Sequence, residues 1–82
     1  MNRKIYVGNL PISYEEFDLE YLFKNFGGVM SAKVFSYNGY AHLGKYGFVE
    51  MASEVEAYNA VIALNNYNIN ERKITVAHLL PR

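Results

Sequence analysis

Four stretches of the chain alternate apolar and polar residues with the period of a strand, and two repeat apolar residues with the period of a helix. Arg3-Lys4-Ile5-Tyr6-Val7-Gly8 runs β-branched and aromatic residues into the turn signal Asn9-Leu10-Pro11, which predicts a first strand at about residues 4 to 8. Ser13 with Glu16 then reads as a capping box, and Ile12 with Phe17 as its hydrophobic staple. Leu19, Leu22, Phe23 and Phe26 form one helical stripe, and Gly27-Gly28 ends it. Val29 to Phe35 reads as a second strand, Asn38-Gly39 as a tight hairpin turn, and Tyr46 to Met51 as a third strand. Ser53 with Glu56 caps a second helix carrying Ala57, Ala60, Val61 and Leu64. Asn65 to Asn68 is a polar loop, and Arg72 to Ala77 is the last strand.

The order is strand, helix, strand, strand, helix, strand. Right-handed crossovers then give an α+β, ferredoxin-like βαββαβ sandwich: a four-stranded antiparallel sheet with both helices packed on one face. At 82 residues this is a single domain, 1–82. The other face of the sheet has no layer to cover it.

Strand parity decides what points there. Ile5 and Val7 suit the core, so Lys4 and Tyr6 point out. Gly47, Val49 and Met51 face the helices, so Tyr46, Phe48 and Glu50 point out. Ala32 and Val34 face in, so Lys33 and Phe35 face out. In the last strand Ile74 and Val76 take one face, and Lys73, Thr75 and Ala77 the other. Exposed aromatics in this number need a partner, since a soluble monomer rarely leaves a contiguous apolar patch uncovered. Rings interleaved with lysines suit single-stranded nucleic acid, with bases on the rings and phosphates near the ammonium groups.

Composition narrows the alternatives. The chain has no cysteine, which excludes a disulfide scaffold and a thiolate metal site. It has no run of apolar residues long enough to span a membrane and no signal-peptide core, so an intracellular location is expected. Eight basic and eight acidic residues cancel, which at first argues against binding a phosphate backbone. Their distribution removes the objection. Glu15, Glu16, Asp18, Glu20, Glu54 and Glu56 fall in the predicted helices, with Lys24 as the basic residue among them. Arg3, Lys4, Lys33, Lys45, Arg72 and Lys73 fall in or beside strands. The acids complement the helix dipoles, and the sheet side is mildly basic.

Ile5-Tyr6-Val7-Gly8-Asn9-Leu10 resembles the hexapeptide of the RNA-recognition motif family at every specified position. Gly44-Lys45-Tyr46-Gly47-Phe48-Val49-Glu50-Met51 resembles its octapeptide at the central four. It departs where Gly44 replaces a basic residue, Lys45 a glycine and Met51 an aromatic. The resemblance implies that Tyr6 and Tyr46 stack on successive bases and that Phe48 packs against the sugars between them. Lys4, Lys33, Phe35, Asn9, Glu50, Lys73 and Thr75 complete the candidate surface. Lys45 joins it as a neighbour of the missing basic position, although parity turns it toward the helices. With no cation at Gly44, weaker backbone anchoring is expected than in a typical member. The Val49-Glu50-Met51 segment and the Pro81-Arg82 end resemble stand-alone one-domain RNA-binding proteins, and Met1 with that end suits a free-standing short protein; a domain cut from a larger protein and an engineered sequence stay open beside it.

If Asn38-Gly39 makes a tight hairpin, Tyr37 and Tyr40 extend the platform past the usual three rings. His78, just after the last strand, is a further candidate contact. His42 and His78 lack ligand neighbours, so neither metal nor cofactor is expected. No catalytic arrangement or phosphate loop is present, so no enzymatic activity is expected. The expected ligand is single-stranded RNA, or single-stranded DNA in its place, and the expected state is a monomer. The alternative is a protein-interaction or homodimerisation module that uses the aromatic sheet face or the acidic helical face.

Overall fold

The computed structural model describes residues 2–37 and 44–79, and shows the sandwich the alternation predicts. β1 (Lys4–Leu10), α1 (Glu16–Lys24), β2 (Val29–Ser36), β3 (Lys45–Met51) and α2 (Glu54–Leu64) follow in order. A two-residue pair, β4 (Asn68–Ile69) and β5 (Arg72–Lys73), precedes β6 (Thr75–His78). The main sheet is antiparallel in the order β2-β3-β1-β6. The Asn38-Gly39 turn, Tyr40 and His42 lie outside the described residues.

One face of the sheet makes the core. Ile5, Val7, Val49, Met51 and Val76 are buried against Leu19 and Phe23 of α1 and Ala57, Ala60 and Leu64 of α2. The alanines let α2 approach closely, and Gly47 does the same for α1. A Cβ on Gly47 would lie 2.5 Å from the Lys33 carbonyl oxygen and 2.9 Å from Leu19 Cδ2. Ser53 caps α2, its side chain accepting from the Glu56 N–H.

Three local features differ from the sequence expectation. First, α1 starts at Glu16 with Glu15, not Ser13, as N-cap. The Tyr14 N–H donates to the Pro11 oxygen at 3.0 Å, so a turn uses up Ser13 before the helix begins. The Glu15 N–H donates to Asp18 Oδ2 at 2.9 Å. Ile12 and Phe17 are both largely exposed, and no staple packs there. Second, β1 runs on to Leu10 through a bulge: Val7 pairs with Gly47 and Leu10 with Lys45. Asn9 absorbs the extra residue at φ 61, a conformation asparagine tolerates. Third, the loop before the last strand contains the β4–β5 hairpin. Its two turn residues, Asn70 and Glu71, both have positive φ (51 and 67).

Candidate nucleic-acid interface

Register on the open face brings the predicted rings together. β1 and β3 set Tyr6 opposite Phe48, while β3 and β2 set Phe48 opposite Lys33 and Tyr46 opposite Phe35. Opposed residues of an antiparallel pair project to the same side. Tyr46 is the hub. Its ring centroid lies 5.2 Å from Tyr37, 5.5 Å from Phe35, 6.0 Å from Phe48 and 6.4 Å from Tyr6. Phe35 stacks on it at 27°, whereas Phe48 stands edge-on at 89°. Tyr6 and Phe48 are 5.9 Å apart. Among the described residues, five aromatic rings from three neighbouring stretches thus form one connected surface, at spacings where ring pairs attract by about 0.5–1.5 kcal/mol each.

The platform is partly pre-set. Tyr6 lies back over Gly8, where a Cβ would meet its hydroxyl oxygen at 2.7 Å. Burial raises the Tyr6 phenol above its ordinary value, and a hydrogen bond with the Tyr37 side chain and the nearby Tyr37 and Tyr46 phenols push the same way. Tyr37 therefore belongs to the cluster by ring contact and by hydrogen bond. Its hairpin partner Tyr40 lies outside the described residues.

Polar residues collect at two edges. Beyond Phe48, a hollow of about 220 Å³ is lined by Lys4, Ser31, Lys33, Phe48, Glu50 and Leu79. Glu50 is held there by Arg3 at 3.0 Å. At the other edge, Asn9 spans two partners: its Nδ2 donates to the Lys73 oxygen and its Oδ1 accepts from Arg72 Nη1, both at 2.8 Å. Lys73 and Thr75 are exposed close by, and Thr75 pairs with Gly8.

Two candidates sit elsewhere. Lys45 turns to the helix side, as its parity predicts, where its Nζ donates to the Tyr14 oxygen at 2.9 Å and meets Glu15 Oε2 at 3.1 Å. His78 is the last residue of β6 and lies opposite Ile5, so it shares the helix-facing side. A larger hollow of about 290 Å³, lined by Phe17, Tyr21, Lys24 and Val29 among others, lies on the α1 side, away from the rings. Sequence reasoning counted Arg3 and Arg72 among the basic residues beside strands but did not place them in the site. Arg3 is two residues from Ile5 by parity, and no local pattern announces that it reaches across to Glu50.

Known proteins agree with this geometry. The family model described as RNA recognition motif matches residues 5–75. The chloroplastic 28 kDa ribonucleoprotein of Spinacia oleracea is 38% identical over 81 residues, covering 96% of this chain and 35% of that protein. The chloroplastic RNA-binding protein CP31B of Arabidopsis thaliana is 40% identical over 73 residues, covering 89% of this chain and 25% of that protein. The chain thus spans about a third or less of the length of these relatives. The crystal structure of RNA-binding protein PG1 superposes with a TM-score of 0.83 at 36% identity, covering 98% of this chain and 96% of that one. The matched residues include β1 from Ile5 onward and all of β3, and so the central rings Tyr6, Tyr46 and Phe48. The family match and the ribonucleoprotein relatives support RNA binding.

Proposed function

The chain belongs to the RNA recognition motif family, and we propose that it binds single-stranded RNA, without catalysis, on the aromatic face of its sheet. One observation carries this reading: Tyr6, Phe35, Tyr37, Tyr46 and Phe48 form a single ring cluster on the side of the sheet opposite the helices. A single strand can splay its bases onto such rings, whereas a duplex keeps its bases stacked inside. Tyr6 and Tyr46 take successive bases and Phe48 lies between them. Lys4 and Lys33, beside Phe48, neutralise the backbone at that end.

Each stacked base is worth about 1–3 kcal/mol by alanine substitution. Losses of translational and side-chain freedom offset several kcal/mol of the total. A micromolar dissociation constant, on the order of −8 kcal/mol, follows for a single domain. The test is titration of a fluorescein-labelled mixed-sequence RNA octamer pool against the wild-type chain and Tyr46→Ala. A clear loss of affinity with an unchanged fold supports the reading; equal affinity for the two chains refutes it.

A further inference from the structure

We infer that Arg72 supplies the phosphate-contacting cation at the β1 bulge end of the aromatic face, by occupying the space left open by the absent side chain of Gly44. The inference rests on the RNA-binding reading above and names a residue that reading does not include.

Three observations place the charge. Gly44 lies two residues before Tyr46, the spacing at which an extended chain returns to the same face. A Cβ built on Gly44 would stand 2.8 Å from the Leu10 carbonyl oxygen, 2.9 Å from Arg72 Nη1 and 3.5 Å from its Cζ, so the guanidinium, together with the Leu10 backbone, lines the space where a side chain at 44 would begin. Asn9 Oδ1 then fixes Nη1 at 2.8 Å, while Asn9 Nδ2 holds the Lys73 oxygen of the same short strand. The β4–β5 hairpin, through its positive-φ turn at Asn70 and Glu71, delivers Arg72 to this corner.

The alternatives nearby are committed elsewhere. Lys45, the adjacent cation in sequence, bonds the start of α1 through Tyr14 and Glu15. Lys4 and Lys33 line the hollow beyond Phe48, at the other end of the ring row. Arg72 keeps its charge whatever further hydrogen bonds it makes, because guanidinium does not deprotonate in proteins. Its planar fork suits two phosphate oxygens. A strand laid over the rings therefore meets positive charge at both ends. The glycine at 44 is in this view a vacancy filled from another strand, not a lost anchor.

The experiment measures affinity of the mixed-sequence RNA octamer pool at several salt concentrations for wild type, Arg72→Gln, Arg72→Lys and Tyr46→Ala, with folding followed by circular dichroism. Arg72→Gln should flatten the salt slope by about 0.7, the value for one phosphate on a single strand. It should weaken binding about two- to fivefold at low salt, with the gap closing as salt rises. Arg72→Lys should keep the wild-type slope. An Arg72→Gln slope equal to wild type, while Tyr46→Ala still loses affinity, overturns the inference and leaves the binding reading intact. Unchanged affinity in Tyr46→Ala overturns the reading itself. If Arg72→Gln does not fold, the wild-type chain decides. One neutral methylphosphonate linkage is then moved along an octamer chosen from the bound pool, and binding to wild type is compared with Arg72→Lys. A linkage position that lowers the slope by one contact in both chains, and weakens binding more in wild type, where a two-point guanidinium contact is lost, than in Arg72→Lys, supports the inference. Equal affinity losses for the two chains at every linkage position overturn it.

Discussion

The two faces of the sheet are built from the same strands and differ by one residue of parity. In β1, Ile5 and Val7 are fully buried, while Tyr6 between them is half-buried on the opposite side. In β3, Val49 is buried and its neighbours Phe48 and Glu50 are not. The inner face is aliphatic, close-packed and satisfied by two helices. The outer face is aromatic, and its rings satisfy one another only in part: Phe35 remains 45% exposed. The comparison separates two purposes of apolar surface. Burial on the inner face holds the chain together, whereas the outer face keeps its apolar area available for a ligand. Substitutions on the two faces should therefore fail in different assays.

The largest expected effect is on the inner face. Leu19→Ala removes a fully buried side chain that packs at Gly47 and should cost about 2–5 kcal/mol of stability. Urea denaturation should show the lower midpoint, and any remaining folded protein should bind RNA as wild type does. Next comes the outer face. Tyr46→Ala removes four ring contacts, so it should lower the urea midpoint modestly while the chain stays folded, and it should weaken RNA binding by about 1–3 kcal/mol. A variant that lost stability and binding together on both faces would erase the distinction.

A third, smaller effect concerns pH. Burial raises the phenols of Tyr6 and Tyr14, with Asp18 and Tyr67 adding to Tyr14 and Tyr37 adding to Tyr6. A raised value in the folded state favours the neutral phenol there. The resulting stability is present below the unfolded value of about 10 and is lost as pH rises through the folded-state value. Tyrosinate absorbance should accordingly show Tyr6 and Tyr14 titrating above that ordinary value. Tyr37→Phe removes the hydrogen bond to Tyr6 and should bring the Tyr6 titration down toward it. The smallest effect belongs to Arg3→Ala. The Arg3–Glu50 pair is partly exposed, so its loss should change stability by less than about 1 kcal/mol in the same denaturation assay.

The sheet and its two faces were legible in the sequence because strand parity is a strict period of two. Ile5, Val7 and Val49 could be assigned inward, and Tyr6, Tyr46 and Phe48 outward, from alternation alone, while in the last strand alternation grouped Ile74 with Val76 without saying which face they took. What was less legible has local causes. Ser13…Glu16 and Glu15…Asp18 are both plausible caps, and the choice fell to a turn closed by Pro11 and Tyr14. The β4–β5 hairpin uses Asn70-Glu71 at positive φ, and glutamate is not a residue that advertises such a turn. The position of Arg72 depends on that hairpin and on Asn9, 63 residues away in the chain. Strand alternation carries no signal for a contact of that kind. Lys45 was the reverse case: its parity pointed to the helices, and the structure finds it there.

The measurement that tests the account most directly is an NMR titration of the full chain with the mixed-sequence RNA octamer pool, reading aromatic and amide shifts together. The account predicts that Tyr6, Tyr46 and Phe48 shift first and furthest and that α1 and α2 stay quiet. Shifts confined to the exposed helical residues Phe17, Tyr21, Tyr58 and Ile62, or no shifts at all, would contradict it.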